Sequence, residues 1–156
     1  MEPAAQQPIV MVPVSAEQLA RLAAGEILSG PLMGIAPTGE LASTFGVEPG
    51  EQAEAAALQL ADVLGLTGPY LGGTRRVVVA QLVGRPNPDD AANGLVVIDG
   101  LASGDVTAFF TGPGDPAAAG QAGGLNIDDA WEQPGVQNLL ATEPLGWHDL
   151  SELVQV

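Results

Sequence analysis

The 156-residue chain has no cysteine and no lysine. Without cysteine there is no disulfide framework, no thiolate zinc or iron–sulfur site and no cysteine nucleophile. Without lysine there is no Schiff-base chemistry and no P-loop. Aromatic residues are scarce: two Trp, one Tyr and three Phe. No apolar run reaches the 18 or so residues that a membrane span needs. Residues 1–7 (Met-Glu-Pro-Ala-Ala-Gln-Gln) carry neither the basic start nor the apolar stretch of a signal peptide, so the reading is a loose tail and a cytoplasmic protein.

Positive charge is the other scarcity. Four arginines stand against 19 acids, for a net charge of −15. Such a chain repels nucleic-acid backbones and anionic membranes, and its natural partners are cationic surfaces, metal ions or other proteins, a protein with a cationic surface first among them. The charge is unevenly spread. No acid falls between Asp62 and Asp89, and that stretch carries Arg75, Arg76 and Arg85, a charge of +3. The remaining 19 acids and single Arg21 leave −18 elsewhere. Arg75 and Arg76 either pair with nearby carboxylates or form a site for an anion, and they are the candidate anion-binding residues.

What is abundant is alanine, valine and leucine, with 21 Gly and 13 Pro to punctuate them. Ile9–Val14 reads as a first strand that Pro13 places near a strand end or an edge. Ser15 and Gln18 have capping-box spacing, Leu19, Leu22 and Ala23 recur at helical period, and Gly25 ends the helix. Leu32–Ala36 is a weak strand and Leu41–Phe45 one helical turn. Glu51–Leu64 predicts a helix with Ala53, Ala57 and Leu60 on one face and Gln59 and Asp62 on the other. Arg76–Val83 is the strongest strand, nearly continuous in apolar residues and so covered on both faces. Residues 86–94 form a loop. Leu95–Asp99 and Val106–Thr111 are strands, joined by a turn over Gly100–Asp105. Asp115-Pro116 has the acid-then-proline pattern of a helix start. Ala117–Gly124 is a short or poorly ordered helix, Pro134–Leu140 another, and Trp147–Leu153 a closing strand. The expectation is one α/β domain over residues 8–156, with a mixed sheet whose central strands are mostly parallel and helices around it.

Motifs add little chemistry. Gly112-Pro113-Gly114-Asp115-Pro116-Ala117 matches a dinucleotide fingerprint in form. Its two prolines remove amide donors, though, and Asp115 stands where phosphate would sit, so it reads as a turn and cap. Gly123–Asp128 resembles one turn of a calcium-binding β-roll, which works only in stacked copies. His148, the lone histidine, sits beside Asp149, but no serine lies in a nucleophile-elbow motif. No cofactor is expected. Trp131, Trp147 and His148 are the candidate partner-binding residues, with core anchoring as the plainer role for the tryptophans.

Several segments resemble, in order, those of a family of small, acidic, uncharacterised actinobacterial proteins. Ile9–Ser15 is similar to its VYVPVT or VYLPAT opening, and Gly34–Thr38 to an AVTP strand end. Glu51–Leu58 is similar to an EELEYAA helix, Arg75–Ala80 to RRVVVAADV, and Trp147–Leu153 to WYDATEL. The family has tyrosine where this chain has Ala55 and His148. The resemblance supports the expected fold and implies cytoplasmic origin, and it carries no catalytic residue across.

The expected function is therefore non-catalytic binding of a protein with a cationic surface. One alternative is a nucleic-acid mimic, which needs carboxylates arrayed on one face. The other is a small carboxylate- or metal-dependent enzyme. That reading calls for a pocket lined by two or more of Asp89, Asp90, Asp128, Asp129, Glu132, His148 and Asp149.

Overall fold

The computed structural model describes residues 8–68, 74–149 and 151–152. The tail expected over residues 1–7, and Leu150 and Leu153 of the expected closing strand, lie outside them. In chain order the strands are β1 (Val10–Pro13), β2 (Ile27–Ile35), β3 (Arg75–Ala80), β4 (Arg85–Pro86), β5 (Leu95–Ala102), β6 (Val106–Gly112) and β7 (Gly146–Asp149). The helices are α1 (Ala16–Ala23), α2 (Gly39–Phe45), α3 (Glu51–Thr67), α4 (Pro116–Ala122), α5 (Ile127–Trp131) and α6 (Pro134–Thr142). Single 3-10 turns, Ala91–Asn93 and Ser103–Asp105, precede and follow β5.

All seven strands form one sheet in the order β4-β5-β2-β1-β3-β6-β7, and every neighbouring pair is antiparallel. The chain is thus of mixed α/β class in a single domain, but the mostly parallel sheet expected from the sequence is wrong. The continuous apolar run of β3 reports burial on two faces, and two-sided burial does not require parallel neighbours. Here Val77 and Val79 pack under the helices while Val78 and Ala80 face the opposite side of the sheet. The strand–helix–strand order of β1, α1 and β2 likewise looked like a crossover. Gly25, at φ +83°, turns the chain back so that β2 returns antiparallel beside β1.

The sheet is strongly curled, and chain length alone requires it. Three strands lie between β5 and β6, so a flat sheet would separate them by four spacings, about 19 Å. The link from Ala102 to Val106 spans at most about 14 Å when fully extended. Register shifts between Ser29 and Leu32 on β2 and between Val79 and Ala80 on β3 supply local bends. At Gly30 a Cβ would stand 2.3 Å from the Asp99 carbonyl oxygen, so only glycine lets the strands approach so closely.

Two cores result. The inner face of the curl buries Val10, Val12, Leu28, Val78, Ile98 and Leu101, and Leu19 and Leu22 of α1 close it. The outer face carries α2 to α6 and buries Met11, Ile35, Val77 and Val79 against α3 and its neighbours. The α1 capping box forms as read: the Ser15 hydroxyl accepts from the Gln18 amide at 3.1 Å, and the Gln18 side chain accepts from the Ser15 amide at 2.9 Å. α4 is an ordered helix capped by Asp115, whose Oδ1 accepts from the amides of Ala117 and Ala118. Val83, expected in the central strand, lies beyond the end of β3 and is exposed. Among the described residues no helix is long and apolar enough to cross a membrane.

Candidate functional site

Arg75 and Arg76 are adjacent on a strand, so their side chains leave opposite faces of the sheet. Arg75 takes the helix side and is buried. Its Nη1 pairs with the Asp62 carboxylate, its Nε donates to the Pro113 carbonyl at 2.8 Å, and its Nη2 donates to the Glu143 carbonyl. One guanidinium therefore ties α3, the β6–α4 turn and the end of α6 to the start of β3. Asp62 was placed on the polar face of its helix, which proves wrong. The α3 helix packs against the sheet and against α4 and α5, and Asp62 falls among its buried residues with Ala61 and Val63. Burial pushes the Asp62 carboxyl up to about 6, against the pull of the Arg75 charge and hydrogen bond.

Each of the other arginines has one main engagement. Arg21 pairs with Glu26 at 3.4 Å, and Arg85 holds both oxygens of Asp99 at 2.8 and 2.7 Å, both at exposed positions. Arg76 donates to the Thr74 carbonyl at 2.8 Å and has no carboxylate partner among the described residues. It lines a cleft of about 480 Å³ between the start of α1, the end of α3 and the start of β3.

A second cleft of about 290 Å³ lies on the other side of the α3 end, and Met33, Leu64 and Thr67 belong to both. Three of the carboxylates singled out in the sequence, Asp89, Asp90 and Asp128, line it. They come from the loop before β5 and from α5, which the sequence reading left out. Asn126 caps α5 by accepting from the Asp129 amide at 2.8 Å, and this sets Asp128 on the first turn. Asn93, buried, bridges the two segments: its Nδ2 donates to Asp90 Oδ1 and to Asp128 Oδ1, both at 2.8 Å. Burial raises the Asp90 carboxyl above its ordinary value. The Asn93 hydrogen bond pulls it back, and the Asp128 charge pushes it further up. Leu95, Leu125 and Ile127 give the cleft an apolar wall. Asn93 carried no signal in the sequence, because its meaning depends on a partner 35 residues away.

The remaining candidates do not join this cleft. Asp129 and Glu132 lie on or just after α5, exposed. Trp131 is half-buried and meets Phe45 edge-on, ring centroids 5.7 Å apart. Trp147 is 61% exposed on β7, the edge strand. His148 on the same strand stacks on Phe109 at 4.9 Å, and its Nε2 lies 2.7 Å from the Thr111 hydroxyl. Glu152 follows, with Oε1 3.5 Å from His148 Nδ1 and Oε2 accepting from the Asp149 amide. The sequence candidates thus divide into an acidic cleft, an arginine cleft and an aromatic edge. Among the described residues no group of three His, Asp or Glu side chains is arranged to hold a metal ion.

No protein-family model, curated protein or solved structure compared with the chain matches it.

Proposed function

We propose that the protein acts by binding a partner protein through a cationic side chain, which enters the cleft of Asp89, Asp90 and Asp128. The observation that carries this reading is the convergence of three carboxylates from two distant segments on one cleft with an apolar wall. An arginine or lysine side chain presents a charged end on an apolar stem, and such a cleft meets both parts. The charge of −15 adds long-range attraction for a cationic surface and speeds encounter at low ionic strength. A cytoplasmic location belongs to the same proposal and is checked by cell fractionation.

Calorimetric titration with an oligo-arginine peptide tests the reading. The double variant Asp90→Asn/Asp128→Asn should bind about tenfold more weakly, roughly 1.4 kcal/mol. The double variant Glu51→Gln/Glu54→Gln removes the same charge from α3 and should bind as the parent does. Equal losses in both would mean that only net charge matters, and the cleft would lose its role.

A second reading, a small carboxylate-dependent enzyme, draws on one specific feature. Asp90 and Asp128 share a buried amide donor while the Asp90 carboxyl is raised, which is how a proton donor and a charged partner are set apart. It predicts turnover in a screen of chromogenic glycosides and esters, abolished by Asp90→Asn. A screen with no turnover would leave binding as the sole reading.

A further inference from the structure

The larger cleft points to a second, separate ligand. We propose that it takes a small apolar molecule ending in a carboxylate, held at Arg76 with its body along Pro13, Val14, Leu64 and Val77. The two clefts adjoin at Met33, Leu64 and Thr67, but Arg76, Val14 and Val77 line only the larger one, and the proposal does not rest on the protein-binding reading.

Three observations carry it. The first is size and lining. A volume of about 480 Å³ falls in the range of small-molecule sites, about 300–1,000 Å³, and its exposed wall is mainly apolar, with charged and polar side chains interspersed. The second is the charge inventory. In a chain with nearly five acids for every arginine, Arg21, Arg75 and Arg85 each pair with a carboxylate, while Arg76, among the described residues, meets only a backbone carbonyl. A half-buried guanidinium with unused donors is suited to a carboxylate supplied from outside. The third is the surrounding charge, which selects the ligand class. The Asp62–Arg75 pair also lines the cleft but is neutral as a unit, and Asp115 spends Oδ1 on capping α4. Glu17 and Asp115 remain negative at the margin. A monoanion meets one arginine and tolerates this margin, whereas a phosphate dianion is repelled by it and by the body of the protein.

The start of α1 adds to the same end of the cleft. Ser15 and Gln18 satisfy each other there, and the next two residues, Ala16 and Glu17, also line the cleft. Their amides fall among the first-turn donors that a helix leaves without internal partners.

Octanoate is the probe, with octanol as its uncharged counterpart. Calorimetry on the full chain should show saturable octanoate binding and much weaker octanol binding. Amide shifts in the NMR spectrum should cluster at Val14, Ser15 and Val77, which line this cleft and not the acidic one, a readout that needs no variant. Arg76→Gln should weaken octanoate roughly tenfold, the scale of one charge-assisted contact, and leave octanol unchanged. Arg76→Lys should restore part of the loss. The proposal is overturned by any of three results: no saturable octanoate binding, octanol bound as tightly as octanoate, or shifts that map to the acidic cleft instead.

Discussion

Replacing Arg75 with methionine should lower stability by about 3–5 kcal/mol at pH 7, because it strands the buried Asp62 carboxylate. For a chain of this size that is a fall in melting temperature of about 10 °C or more. The loss should depend on pH with a definite sign. In the parent the Asp62 carboxyl is raised from 3.8 to about 6, so its contribution is fully present below about pH 4 and is lost as pH rises through 6. Methionine removes the arginine charge and hydrogen bond that pull this value down. The carboxyl then rises further, and its protonated form persists to higher pH. The gap between parent and variant should therefore be widest near pH 8 and should narrow toward pH 5. Melting curves across that range decide the matter. A gap independent of pH would mean that the lost hydrogen bonds to Pro113 and Glu143 dominate and that Asp62 contributes little.

Gly94→Ala should be severely damaging, costing about 3 kcal/mol or more. Two effects combine there. The backbone sits at φ +78°, where a side chain costs about 1–3 kcal/mol. A Cβ would also stand 2.3 Å from the Ala36 carbonyl oxygen, a backbone atom that cannot swing away. The Gly94 carbonyl accepts from the Ala36 amide at 2.9 Å, so relieving the clash pulls β2 and β5 apart where they meet. Asn93 is the next residue, and the Asp90–Asn93–Asp128 bridge should loosen with it. Amide exchange at Ala36 and the melting temperature report the two consequences. Gly120→Ala is the matched control: nothing lies within 4 Å of its Cβ position, its φ is ordinary for a helix, and the change should stabilise α4 by about 0.5–1 kcal/mol.

Local features were legible in the sequence and long-range ones were not. The Ser15–Gln18 cap, the Gly25 stop and the Asp115-Pro116 start depend on residues a few positions apart, and each stands where the sequence put it. The direction of the strands depends on how the sheet closes, which no local pattern records. The sequence reading starts β2 only at Leu32, because Gly30 and Pro31 interrupt the apolar pattern before it. That interruption is the place where the strand shifts register and bends. The sites divide in the same way. That Asp90 and Asp128 carry chemistry was readable from residue type, but their meeting through Asn93 was not. The pairing of Arg75 with a carboxylate was an open alternative, whereas the separate roles of Arg75 and Arg76 follow from strand alternation once β3 is known to start at Arg75.

The curl of the sheet also decides what light can report about this protein. A tightly bent sheet leaves a narrow interior, filled by valine, leucine, isoleucine and alanine, with Phe109 the one aromatic residue of that buried cluster among the described residues. Both tryptophans lie elsewhere, Trp131 beside Phe45 against the helix-side core and Trp147 on the edge strand opposite Phe110. Tryptophan fluorescence therefore sees the helical layer and one sheet edge, and no tryptophan reports on the enclosed core. A transition followed by tryptophan emission alone would register the loosening of α5 or β7 and pass over the interior. Far-ultraviolet dichroism or methyl resonances of Val10, Val12 and Val78 are the probes that would see the centre of the sheet give way.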